Sequence, residues 1–291
     1  MLLKQTTAEW WKDDTFRFAA ALAFYTLFSL APVVLIAVSI ASFFFIPQHA
    51  IESIIGHVQQ LMGAQGADAV RQVIESSEGP RKSVWAVIIG FATFFAGASV
   101  VFGELQAALN RIWDVQANTS KGMISTLVIN RIRSFGIALA VGFLLTVSLV
   151  ANTAIDGLAA YARAWLPVAP WIWDGINLGA SLAALVVLFA MIYKYLPDVR
   201  LAWRDVWVGA MVTAALFIAG KYCIGFYLGR TSTAGSFGAA GSLAVLLVWV
   251  YYSALVSFFG AEFTQVYAKW RGKRIAPEPH AVRAGNKPER A

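Results

Sequence analysis

Charge is what this sequence has least of. Only 13% of its residues are Asp, Glu, Lys or Arg, about half the share found in an average soluble domain. That scarcity excludes a fold with an ordinary water-facing surface on every side. Cysteine is rarer still: Cys223 stands alone, so an intrachain disulfide and a cysteine-based metal site are both excluded. The three histidines, His49, His57 and His280, are far apart and lack acidic or thiol companions at ligand spacing. A metal centre, a Ser-His-Asp triad and a Cys-His pair therefore have no candidates. No Gly-x4-Gly-Lys-Ser/Thr loop is present, so the chain would not hydrolyse ATP itself. The short apolar core of a cleavable leader, about 7–15 residues, is also missing. The first apolar run is far longer and reads as a retained membrane helix.

What fills the space is apolar. Residues 18–51, 83–103, 134–155, 175–193 and 231–261 carry no charge at all, and 206–229 carries only Lys221. A hydrocarbon core needs roughly 20 apolar residues of helix, and in lipid only helices or closed barrels satisfy the backbone. The fold class read from this pattern is all-α, a polytopic integral membrane protein with six transmembrane helices. Their expected spans are 18–46, 83–102, 134–155, 176–196, 206–228 and 242–267. Residues 1–17 form an amphipathic head, and 268–291 a basic tail expected to be disordered because it is rich in Pro, Gly and charge. Many of the eleven Trp fall near expected helix ends, where their rings suit the two membrane interfaces.

The basic residues set an orientation. Of the 23 Lys and Arg, 17 lie in the two termini, after the second run and after the fourth. The opposite side carries 5, and Lys221 lies within the bilayer. The positive-inside rule then places both termini in the cytoplasm. The basic stretch after the last span suits anionic lipid better than nucleic acid, because it follows a membrane helix directly.

Local signals refine this picture. Pro32 removes a backbone donor in the middle of the first span and kinks it, either for packing or as a broken helix lining a cavity. Ile51, Ile54, Ile55, Val58, Leu61 and Met62, then Val70, Val73 and Ile74, recur at helical spacing. They predict two short amphipathic helices over the outer face. Helix two is expected to continue past residue 102 as a polar, amphipathic stretch. Gly90, Gly97 and Gly103, the pair Gly175 and Gly179, and the pair Gly225 and Gly229 offer sites of close helix approach.

Four stretches carry a family resemblance. They are Ala21-Leu-Ala-Phe-Tyr-Thr-Leu-Phe-Ser-Leu-Ala-Pro32, Phe102-Gly-Glu-Leu-Gln-Ala-Ala-Leu-Asn-Arg-Ile-Trp113, Tyr195-Leu-Pro-Asp-Val-Arg200 with Trp203-Arg-Asp-Val206, and Gly238 to Tyr252 with Gly260-Ala-Glu-Phe-Thr-Gln-Val-Tyr267. In order and spacing they resemble the YihY/BrkB family over about residues 10–271. The resemblance implies a six-helix protein of the bacterial cytoplasmic membrane, with transport of a lipid or metabolite as the activity. A ribonuclease label once attached to such proteins is regarded as mistaken, and no catalytic residue carries over.

Candidate site residues follow from the cost of charge in lipid. Lys221 either snorkels to the outer interface or meets an anionic substrate or a carboxylate such as Asp156. Glu104, Asn110, Arg111, Arg131, Arg133, Asp198, Arg200, Arg204, Asp205 and Glu262 fall at similar depth at the inner mouth. They form either an ion-pair network fixing helix ends or a gate and headgroup site, since Arg forks suit phosphate and carboxylate. The function read from the whole is an inner-membrane transporter or flippase of an anionic lipid or amphiphile of the cell envelope. A non-transporting scaffold for envelope assembly is the alternative. A ribonuclease is the weakest reading, because metal-dependent cleavage needs clustered Asp, Glu or His. No enzymatic activity, cofactor, metal or nucleic-acid partner is expected. Membrane lipids, anionic headgroups among them, are the expected partners, together with a second copy of the chain or envelope-assembly proteins.

Overall fold

The computed structural model describes residues 2–41, 84–117, 170–230, 238–273, 275–279 and 281–284, with separate residues inside 51–75. It is mostly helical. In chain order the elements are α1 (Leu2–Lys12), α2 (Thr15–Ala41), α3 (Val84–Ile112), β1 (Val115–Ala117), α4 (Pro170–Tyr195), β2 (Val199–Arg200), α5 (Trp203–Arg230), α6 (Gly238–Trp270), β3 (Ala276–Pro277) and β4 (Ala281–Arg283). Among the described residues three helices are long and apolar enough to cross a membrane, over Leu178–Tyr195, Trp203–Phe226 and Leu243–Trp270. They keep large apolar side chains exposed, among them Leu178, Leu182, Met211, Phe226, Leu247 and Val248. In water such a surface would be a liability; against lipid it carries no penalty.

Element boundaries follow local chemistry. Pro170 opens α4, where its missing N–H has no intrahelical partner to lose. Pro197 follows two residues after the α4 end and prevents continuation. At the α5 start, Asp205 sits in the first turn, where a carboxylate favours the positive end of the helix dipole. The end of α6 is a Schellman motif: Gly272 takes φ 72°, its N–H donates to Lys269 O at 2.9 Å, and Lys273 N–H donates to Ala268 O at 3.2 Å. Asp14 and Asp114 take φ 55° and 54°, ending α1 and α3 with left-handed residues that short polar side chains tolerate.

Two compact units result. One comprises Met1–Glu9, Leu109–Ala215 and Phe259–Ala291, the other Trp10–Ala108 and Leu216–Phe258. The core of the first holds Leu109, Ile112, Tyr193, Leu196, Val206 and Val266; that of the second holds Ala19, Ala23, Leu246, Trp249, Ala254 and Phe258. In the second unit Ile55, Ala67, Val70 and Ile74 bury against one another, with Ile51 and Val58 packed on them. The described residues of 51–75 have helical backbone.

Several expectations change. The predicted span 134–155 lies outside the described residues. The helix of the second run runs past residue 102 without a break to Ile112, so the polar stretch expected beyond 102 is part of the same helix. The fourth helix starts at Pro170, six residues before the expected 176. The expected disorder of 268–291 does not hold at 276–277 and 281–283. There the backbone finds partners: β3 pairs antiparallel with β2, Val199 opposite Pro277 and Arg200 opposite Ala276. Strand β4 pairs antiparallel with β1, Val115 opposite Arg283 and Ala117 opposite Ala281.

Candidate functional site

Polar side chains of the first unit gather where α3, α4, α5 and α6 meet its strands. Asn110, on the last turn of α3, holds Asp198 in the turn after α4. Asn110 Nδ2 donates to Asp198 Oδ2 at 2.8 Å, and Asp198 N–H donates to Asn110 Oδ1 at 2.8 Å. Both partners are used reciprocally, and Asp198 is fully buried, so this clamp locks the α4–α5 turn onto α3. Asp198 O in turn accepts from Glu278 N–H at 2.9 Å. Gln265 of α6 donates to Ile112 O, capping a carbonyl that the end of α3 leaves open.

Asp205 anchors the chain that follows α6. It is buried, and its two oxygens accept from Arg271 Nη1 and Lys273 Nζ, each at 2.9 Å. The Schellman turn at Gly272 brings both cations back towards the start of α5. Charge-assisted bonds of this kind are roughly twice as strong as neutral ones.

A seam of small residues joins α5 to α6. Gly209 and Thr213 lie one turn apart on α5, Gly260 and Thr264 one turn apart on α6. Each threonine donates to the carbonyl of its own glycine, Thr213 to Gly209 O at 2.8 Å and Thr264 to Gly260 O at 2.7 Å. Each also occupies the space where the other helix's glycine would carry a Cβ. Tyr193 of α4, fully buried, shares a hydrogen bond with Thr213 Oγ1 at 2.8 Å. Glu262, between the two seam residues of α6, has no exposed surface.

A surface cleft of about 330 Å³ opens beside this cluster, lined by Lys194, Tyr195, Pro197, Val199, Arg200 and Glu278. Lys194 donates to Leu201 O and lies 5.8 Å from the centre of the Trp203 ring. Arg200 is mostly exposed, with its Nε 3.7 Å from Glu278 Oε2.

The sequence-predicted residues divide accordingly. Asn110 and Asp198 come together; Arg200 lines the cleft; Asp205 pairs with cations of the following segment; Glu262 is buried. Arg111 and Arg204 are exposed, and Glu104 is half-buried in the second unit. Arg131 and Arg133 lie outside the described residues. Lys221 is half-buried on the part of α5 that belongs to the second unit. There Tyr252 of α6 lies against Gly220, and its hydroxyl donates to Leu216 O at 2.8 Å. Helix α2 is continuous through Pro32.

Sequence reasoning missed the seam. Among the described residues nothing lies within 4 Å of where a Cβ would stand at Gly103, Gly175, Gly179 or Gly225, so these predicted approach sites bring no described helices together. Of the predicted set, Gly97 does: its Cβ would lie 2.8 Å from Ser29 Cβ. The overlooked signal was Gly-x3-Thr, since threonine counts among the small residues of membrane interfaces. Lys194, Arg271, Lys273 and Glu278 were also missed as members of the site. Among the described residues, no three His, Cys, Asp or Glu group together as metal ligands.

The family described as Virulence factor BrkB matches residues 6–285. The chain is 28% identical to a UPF0761 membrane protein of Alteromonas mediterranea, over 87% of this chain and 83% of that protein. A UPF0761 membrane protein of Pseudoalteromonas translucida is also 28% identical, over 84% and 79%. One from Alkalilimnicola ehrlichii is 25% identical over 89% of this chain; the match spans only 56% of that protein's length. No solved structure matches the chain.

Proposed function

Since this chain belongs to the Virulence factor BrkB family and is an integral membrane protein, we propose that it moves an anionic lipid or amphiphile across the bacterial inner membrane. In this reading both termini face the cytoplasm, six helices span the bilayer, and no catalytic step is involved. The observation that carries it is Lys221, a half-buried cation inside the apolar stretch Trp203–Phe226. A charge at such a position is costly and in membrane proteins commonly marks a substrate path. The excess of basic residues at the opposite end of the same helices favours an anionic cargo.

The test is reconstitution. Proteoliposomes carrying a fluorescent anionic phospholipid are treated with a membrane-impermeant quencher. The reading expects the fluorescence of the inner leaflet to become accessible with the native protein and to stay protected with Lys221→Met. Equal protection in empty and loaded vesicles, with folded protein, would favour the scaffold reading instead.

A further inference from the structure

The cleft at the α4–α5 turn has the two parts a phospholipid needs, and we infer that it binds the phosphate headgroup of an anionic phospholipid. Depth comes first. The apolar stretches of α4 and α5 end at Tyr195 and start at Trp203, so the turn between them lies at headgroup level. Charge comes second. Lys194 and Arg200 line the cleft. Arg200 is 62% exposed at its side chain, leaving its planar fork open to a phosphate. Lys194 uses one donor on Leu201 O, and an ammonium has three. The apolar part comes third. Tyr195, Trp203, Trp207 and Met211 are all exposed. Trp203, Trp207 and Met211 recur every fourth residue and form one stripe along α5, leading from the cleft into the apolar span. The rings of Tyr195 and Trp203 meet edge to face at 5.9 Å, and those of Trp203 and Trp207 lie 6.3 Å apart. Aromatic rings at headgroup depth, continued by an apolar track, fit the glycerol and acyl chain of a lipid.

Glu278 supplies the regulation. The pairing of β3 with β2 and the bond from Glu278 N–H to Asp198 O bring its carboxylate to 3.7 Å from Arg200 Nε. An internal anion therefore sits beside the cation that the headgroup would use, and the two compete. Such a site would load the cargo of the proposed transport and rests on that reading for its role, but binding is measured without transport.

Full-length protein in non-ionic detergent is titrated with short-chain phosphatidylglycerol and with short-chain phosphatidylcholine, and bound lipid is counted by native mass spectrometry. Preference for phosphatidylglycerol is expected. Arg200→Gln should weaken it about fivefold, the factor for one basic residue at an anionic lipid surface, and Glu278→Gln should tighten it by a similar factor. A gain of binding cannot arise from misfolding, so the second variant guards the first. The inference is overturned if both variants stay within about twofold of the native protein, or if inorganic phosphate displaces the lipid at equal concentration. Lost transport with intact binding would sink the transport reading alone; intact transport with unchanged variants would sink this site alone.

Discussion

Replacing Gly260 by alanine places a methyl group in space already filled. The added Cβ would overlap Thr213 Oγ1 and lie 2.6 Å from the Tyr193 hydroxyl and 2.9 Å from Thr213 Cβ. Real carbon contacts need about 3.5 Å or more. Relief requires Thr213 to turn away or α5 and α6 to separate. Turning away breaks the bonds to Gly209 O and Tyr193, both 2.8 Å; in membrane helices such bonds contribute about 0.6 kcal/mol each. Separation forfeits the packing of the whole seam, and overpacking typically costs about 1–3 kcal/mol. The expected loss is therefore about 1–3 kcal/mol, whichever route is taken. It is read as the shift in helix unfolding, by circular dichroism, in mixed micelles of increasing sodium dodecyl sulfate. Gly179→Ala is the control, since a Cβ there meets nothing; it should leave stability unchanged or raise it by up to about 1 kcal/mol through helix propensity. If Gly260→Ala unfolds at the same point as Gly179→Ala, the seam does not hold these helices and the packing argument fails.

Asn110→Leu removes both bonds to the buried Asp198, one of them charge-assisted, and should lower stability by about 2–4 kcal/mol in the same titration; a shift under about 0.5 kcal/mol counts against the clamp. Asp205→Asn weakens the hold on Arg271 and Lys273. Tryptic cleavage after Lys273 should become several-fold faster, and an unchanged rate would mean the segment is held by its strands alone. Gly220→Ala should displace the Tyr252 ring, whose atoms fill the site of the new Cβ, and cost about 1–3 kcal/mol. Tyr252→Phe loses only the bond to Leu216 O and should cost about 1 kcal/mol or less; the reverse order would refute this account of the contact.

The helices were legible because their signal is strong. Long apolar runs placed the starts of α2 to α6 to within six residues, and Pro197 marked the end of α4. Charge in an apolar run singled out Lys221, and depth alone grouped Asn110 with Asp198. Their direct bond joins positions 88 residues apart, a separation no local pattern encodes. Strands β3 and β4 were illegible for another reason. Two or three residues carry no period, and their composition reads as a disordered tail; their order comes from backbone partners in β2 and β1. The glycine sites failed where pairs of glycine were sought. Close approach occurs instead where a glycine on one helix faces a larger side chain on the next, Thr264 at Gly209, Thr213 at Gly260, Tyr252 at Gly220 and Ser29 at Gly97. Glu278 looked like part of a loose acidic and basic tail until β3 set it beside Arg200.

In the proposed arrangement the chain crosses the bilayer with its basic end inside. Cysteine labelling in intact cells measures this directly. In a Cys223→Ser background, Thr233→Cys lies between α5 and α6, and Ala284→Cys follows β4, with α6 separating them. A membrane-impermeant maleimide should label Thr233→Cys from outside, and Ala284→Cys only after the cells are opened. Labelling of both positions from outside, or of Ala284→Cys alone, would contradict the account.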